Sequence, residues 1–153
     1  MTDLMPPVLG DLKTLGCFKA MIVGLEDALG EHTTSIALTS AGRLYGKKLA
    51  NELGLQGTTL DNLLTKLQDT LGAGGAGICV IDKVVQEGLV IKVYASQTVC
   101  SMGEPSNSNR KCTFTLGTAW GILESALGQR FKGIHTESLL RGSTHDVFEF
   151  IPF

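Results

Sequence analysis

The stretch Cys112-Thr-Phe-Thr-Leu-Gly-Thr-Ala-Trp-Gly-Ile-Leu-Glu-Ser-Ala-Leu-Gly128 decides how the rest of the chain is read. Its spacing predicts one helix, with Thr113 or Thr115 as the cap at its start and Gly128 in the left-handed position past its end. Phe114, Leu116, Trp120, Leu123 and Leu127 give it a broad apolar side. Gly117, Gly121 and Ser125 recur at i, i+4 and i+8, so one face carries no bulk. Glycine inside a helix costs about 1 kcal/mol against alanine. Two on one face therefore imply that something comes close to that backbone, as a packed neighbouring element, the floor of a pocket, or both.

Working outward, the 153 residues fit a single domain spanning 1–153. Charge is nearly balanced, 13 Lys+Arg against 15 Asp+Glu, and no basic stripe stands out, which excludes an electrostatic nucleic-acid footprint. The mean hydropathy of +0.18 is high for a soluble domain. No apolar run reaches the roughly 18 residues of a membrane span. The excess therefore implies a large core together with a buried interface or an apolar cavity. The first residues show no basic segment followed by an apolar one, so no secretory signal is expected. Cys17, Cys79, Cys100 and Cys112 form no C-x-x-C pair, and reduced thiols in a cytoplasmic setting fit better than a disulfide framework.

Residues 1–10, with Pro6-Pro7, read as a loose arm. A helix is expected over 11–29 and ended by Gly30, with residues 31–36 as a connection. A second helix is expected over 39–53, where Gly42 and Gly46 make another i, i+4 small pair and Arg43, Lys47 and Lys48 face solvent. A third is capped by Thr58 or Thr59 and carries Leu60, Leu63, Leu64, Leu67 and Leu71 on one side. The glycine-rich stretch 72–77 lacks the Gly-Lys-Ser/Thr ending of a phosphate loop and reads as a joint. Residues 78–85 and 89–96 read as a hairpin about Glu87-Gly88, which places Lys83 opposite Lys92 on the water side. Ile78, Val80, Val84, Leu89, Ile91 and Val93 then share the core face, with Asp82 as the misfit. Residues 99–111 read as a mobile, exposed polar loop. A second hairpin, 131–139 with 146–151, turns at Gly142-Ser143. The sum is an α+β fold, an antiparallel four-stranded sheet packed against about four helices.

With that register the last hairpin aligns Phe131, His135, Glu137, Leu139, Phe148 and Phe150 on one face. A carboxylate and an imidazole among aromatics are either a structural pair or the polar anchor of a mostly apolar pocket. Cys100 and Cys112, with His135 or His145, form a candidate metal set, although their spacing is that of neither a finger nor a ribbon. Two thiols packed as small hydrophobes are the simpler account. No G-x-S-x-G is present, and nothing local supports Cys112 as a nucleophile.

The residues Cys112 to Gly117, Gly121-Ile-Leu-Glu124, Leu127-Gly128, Glu137, Gly142 and Phe148-Glu-Phe150 resemble the 4-vinyl reductase-like, or hydrocarbon-binding, domain. Ala41-Gly42-Arg43, Gly46 and Leu49-Ala50 resemble its N-terminal helix, so the likeness covers roughly 37–152. The wider fold is shared with haem–nitric oxide binding domains and TRAPP-type tethering subunits. The resemblance implies this same α+β arrangement, commonly dimeric, with an elongated apolar cavity between helices and sheet. It further implies a small hydrophobic ligand, a tetrapyrrole among the candidates, and links to tetrapyrrole metabolism or photosystem assembly. Leu140 and Asp146 stand where many relatives carry cysteines, which weakens any metal claim. Tyr94-x-Ser96-x-Thr98 only partly matches the haem branch's Tyr-x-Ser-x-Arg, so haem is not expected.

Three roles follow. The first is a non-enzymatic binder with Phe114, Gly117, Trp120, Gly121, Leu123, Phe148 and Phe150 around the ligand, His135 and Glu137 as anchors, and the loop 100–111 as a lid. In that role Gly121→Leu abolishes binding and leaves the fold intact. The second is a homodimeric scaffold, cytoplasmic or attached peripherally to a membrane, that engages a protein partner. The third is an enzyme of tetrapyrrole metabolism, for which no catalytic residue and no nicotinamide or flavin fingerprint is present.

Overall fold

A computed structural model describes the backbone of residues 12–153 and the side chains from Leu15 onward. The expected arm at 1–10 lies outside the described residues. The order is α1 (Leu12–Leu29), α2 (Glu31–Glu52), α3 (Leu60–Leu71), β1 (Val80–Glu87), β2 (Val90–Ser96), α4 (Thr113–Leu127), β3 (Phe131–Glu137) and β4 (Asp146–Pro152). The strands form one antiparallel sheet in the order β1-β2-β4-β3, so the expected α+β class is the observed one.

The expected connection at 31–36 is instead the first turns of α2. Gly30 alone separates α1 from α2, at φ +83°, a conformation that side-chain-bearing residues rarely adopt. Gly128 closes α4 in the left-handed conformation, as its position predicts. Thr59 occupies the α3 cap position as expected, though without a side-chain cap hydrogen bond, whereas at α4 the cap position falls to Cys112 and not to a threonine.

The layering explains the composition of α4. Its inward side meets the sheet, where Ile91, Val93, Phe131, Phe148 and Phe150 are buried together with Ile122 and Leu123. Its opposite side is covered by α2, so residues from Thr115 to Ala126 are buried nearly all round the helix. A helix enclosed on both sides is apolar on both sides. α3 covers the β1 end of the sheet with Leu63, Leu67 and Leu71, and its Gln68 Nε2 donates to the Ile81 carbonyl at 3.0 Å. Each such leucine or phenylalanine taken from water contributes about 1.5–3 kcal/mol before entropy is counted.

The first hairpin turns at Gly88-Leu89, one residue later than expected, and a bulge falls between Ile81 and Lys83. Lys83 therefore pairs with Tyr94, its ammonium 4.4 Å from the ring centroid, and Lys92 pairs with Val85. The expected Lys83–Lys92 opposition does not form. The bulge also releases Asp82 from the core face to meet His145 and Ser96 at the surface. Val80 and Leu89, expected in the core, are exposed.

Residues 72–77 are a tight return at the end of α3 and not a loose joint. Ala76 N donates to Thr70 O at 2.8 Å and Ile78 N to Leu71 O at 3.1 Å. A Cβ on Gly75 would run into the carbonyls of Asp69 and Thr70.

Candidate ligand-binding site

The small faces of α2 and α4 meet each other. A Cβ on Gly42 would overlap the Phe114 carbonyl, on Gly46 that of Thr118, on Gly117 that of Thr39 and on Gly121 that of Arg43. The four glycines thus let two helix backbones touch. Gly117 and Gly121 face α2, so Gly121→Leu is expected to force the two helix backbones apart and cost the fold, where the sequence implied a variant that spares it.

The other expected site residues fall in separate places. Leu123, Phe148 and Phe150 are fully buried in the packed layer between α4 and the sheet. Phe114 lies on the far side of α4, edge-on to Phe18 with centroids 5.0 Å apart and stacked on Tyr45 at 6.0 Å. Glu137 follows a bulge between His135 and Glu137 that pairs it with Val147 and leaves it exposed, with Ser143 Oγ at 3.4 Å. The expected inward carboxylate is therefore on the surface. The register differs because the β3–β4 connection is longer than the expected two-residue turn: a short 3-10 segment, Leu139–Arg141, precedes Gly142.

The buried carboxylate is Asp146. Its oxygens accept from Thr98 Oγ1 at 2.8 Å and from Leu139 N at 3.2 Å, and His135 Nε2 lies 3.2 Å away. Burial raises its pKa, but hydrogen bonds from His135 and Thr98 outweigh this and hold it below the usual carboxylate range. An ionised carboxylate only accepts, so Nε2 is the donor. His135 Nδ1 is buried without a partner among the described residues. His135 and Asp146 together take the place expected of His135 and Glu137.

Cys100 and Cys112 are joined in a disulfide, a correction to the expectation of reduced thiols. Among the described residues the sulfurs and an Asp146 oxygen lie within 4.8 Å of one another. Sulfurs bound to each other offer no thiolate to a cation. His145 is held by Asp82 at 3.1 Å, so the residues of the expected metal set do not assemble into a metal centre in this form. Cys79 is buried, and burial pushes its thiol up to about 12, which leaves it unreactive.

The loop 99–111 is anchored, not free. Besides the disulfide, Lys19 Nζ pairs with Glu104 at 2.9 Å and donates to the Cys100 carbonyl. Arg110 bridges Glu26 and Glu104. Burial raises the Glu104 carboxyl, but donors on Ser108, Lys19 and Arg110 overcome this and hold it at about 2.

Of the expected site residues, Trp120 lines an open groove. Its Nε1 donates to the Phe131 carbonyl at 2.9 Å, and the Arg43 guanidinium lies 4.2 Å over its ring. Beside it runs a groove of about 400 Å3 with an apolar floor and wall of Trp120, Phe131, Ile151, Pro152 and Phe153. Arg43, Arg130 and Lys132 stand at its rim. The loop 99–111 contributes no wall, so it is not a lid for this groove. Arg43 is not the solvated residue expected: its NH2 binds Glu124 Oε1 at 2.7 Å, and the other oxygen of Glu124 accepts from Phe131 N at 3.0 Å. Sequence reasoning missed Arg130, Lys132 and residues 151–153 because they lie at strand ends, where periodicity says nothing about a shared surface.

An antiparallel β1-β2-β4-β3 sheet with α4 packed on it and α2 packed on α4 defines the class, a single α+β fold. Two solved structures are among those that share it. The phenol-responsive sensory domain of the transcription activator PoxR, solved with phenol, superposes with a TM-score of 0.61 at 14% identity, covering 90% of this chain and 74% of that one. A trafficking protein particle complex subunit 3 from Naegleria fowleri, covalently bound to palmitic acid, gives 0.63 at 10% identity, covering 91% and 92%. At these identities the likeness is one of fold. No protein-family model matches the sequence, and no curated protein matches it either.

Proposed function

We propose that this protein binds a small hydrophobic molecule. The observation that carries the proposal is the apolar groove beside Trp120, open to solvent at the end of the sheet. The ligands in the two similar structures, phenol and palmitic acid, are largely hydrophobic with one polar group each and support the same reading. A groove of this size lies in the range of small-molecule sites, and burial of apolar ligand surface at about 25 cal/mol per Å2 supplies the affinity. The expected site residue that takes part is Trp120. A tetrapyrrole, serving pigment metabolism or photosystem assembly, is the finer form of the proposal. Native mass spectrometry of the protein from its own cells, with an absorption spectrum, tests both. A retained apolar mass is expected, and a visible absorption band accompanies it if the ligand is a tetrapyrrole. An empty, colourless protein that also ignores added apolar probes overturns the proposal.

A second reading, the homodimeric scaffold, has its own observation. Met21, Leu25 and Leu29 recur at i, i+4 and i+8 on α1 and are exposed, as is Ile36 at the start of α2. Singly exposed hydrophobics are ordinary, whereas a stripe along one helix is the form an interface takes. On this reading light scattering gives twice the mass of 16.2 kDa, and Leu25→Glu with Leu29→Glu returns it to that value. A monomer at all concentrations sinks it. Among the described residues no helix is long and apolar enough to cross a membrane.

A further inference from the structure

We infer that the ligand of the Trp120 groove carries a negative charge, as a monocarboxylate with an apolar body; the inference rests on the binding role proposed above. Arg43, Arg130 and Lys132 rim the groove, and a second depression of about 550 Å3, sharing Arg43 and Arg130, adds Lys47. Against these four cations the side chains lining the two depressions include one carboxylate, Glu124. That carboxylate is already committed to Arg43, Lys47 and the Phe131 amide. Burial raises its pKa, but the Arg43 hydrogen bond and the Phe131 amide lower it further, so it stays ionised. The rim thus keeps an uncompensated positive charge on a chain whose net charge is -2.

The two arginines are also placed for a ligand. Arg43 lies over Trp120, and Arg130 is 5.1 Å from the Phe153 ring centroid. Stacking on apolar rings leaves guanidinium edges free to donate while it shields them from water, which strengthens a charge-assisted hydrogen bond. Arg43 Nε is buried and has no partner among the described residues. Arg130 and Lys132 are exposed and have no carboxylate partner among the described residues. The floor is apolar and the rim is cationic, so the occupant that satisfies both is an amphipathic anion. A neutral hydrocarbon satisfies only the floor.

The test compares decanoate with decanol, which share the apolar chain and differ in the charged head. Trp120 is the sole tryptophan, so its fluorescence reports the groove directly. Decanoate is expected to bind at least tenfold more tightly than decanol. Arg130→Gln with Lys132→Gln, both at exposed positions, is expected to shrink that preference to under threefold. High salt should weaken decanoate alone. Equal binding of the two probes, or a preference for decanol, overturns the anionic ligand and leaves the hydrophobic binding role standing. Saturable binding of neither probe overturns both.

Discussion

Gly121 has the Arg43 carbonyl of the facing helix where a Cβ would sit, and the Lys47 amide nitrogen is 2.9 Å from that point. A backbone carbonyl cannot rotate aside as a side chain can. Gly121→Ala gains about 1 kcal/mol of helix propensity, and the helices must then part against an overpacking cost of about 1–3 kcal/mol that rigid neighbours push to its upper end. The expected net loss is about 2 kcal/mol, or roughly 4–8 °C in Tm for a chain of this length. Gly24 on α1 has nothing within 4 Å of its Cβ position, so Gly24→Ala is expected to stabilise by up to about 1 kcal/mol. Thermal melts of the two variants check the pair. Equal shifts in one direction would mean that α2 and α4 do not touch as described. The glycine spacing made this close approach legible in the sequence. What it touches was not, because a small face reads the same against a helix as against a ligand.

Among the elements, the segment between β2 and α4 departs furthest from its sequence. Gly-Glu-Pro-Ser-Asn-Ser-Asn has the composition of a free loop, yet Cys100–Cys112 closes it and Glu104 and Arg110 dock it on α1. Composition reports average solvation; it does not report the pairing of two cysteines 12 residues apart with partners more than 80 residues away. Closing a loop of that length restricts the unfolded chain by about 3 kcal/mol in the chain-entropy account. Cys100→Ser with Cys112→Ser should lose about that much stability and exchange its amides faster over 100–112. Thiol titration of the unreduced, denatured protein should find Cys17 and Cys79 only. Four reactive thiols would show that the bridge does not form. The helices α3 and α4 and the existence of both hairpins were legible from periodicity and turn residues. The bulges after Ile81 and His135 were not, since one extra residue leaves alternation intact on either side while it reverses which face a carboxylate takes. That is why Asp82 and Glu137 reached the surface, whereas Asp146 keeps its alternation with Phe148 and Phe150 on β4 and is buried with them.

Across the whole molecule, three lowered carboxylates sit at three seams. Glu104 joins the β2–α4 loop to α1, Glu124 joins α4 to α2 and β3, and Asp146 joins β4 to the residues after β2 and to β3. Each is opposed by burial and held down by its donors, which win. A carboxylate whose folded pKa lies below its unfolded one contributes stability above the unfolded value, and that contribution is lost as pH falls through the folded one. For Glu104 the window runs from its ordinary 4.5 down to about 2. Urea midpoints should therefore hold level from neutral pH to about 5 and then fall steadily in acid, faster than they would for a chain whose carboxylates are unshifted. Glu104→Gln should be less stable at neutral pH, because Lys19 and Arg110 keep their charge and lose its partner. It should also show a shallower acid limb, because one proton-linked contribution is gone. If its acid limb has the wild-type slope, Glu104 is not coupled to folding, and the loop is held without it, by the disulfide and the Arg110–Glu26 pair.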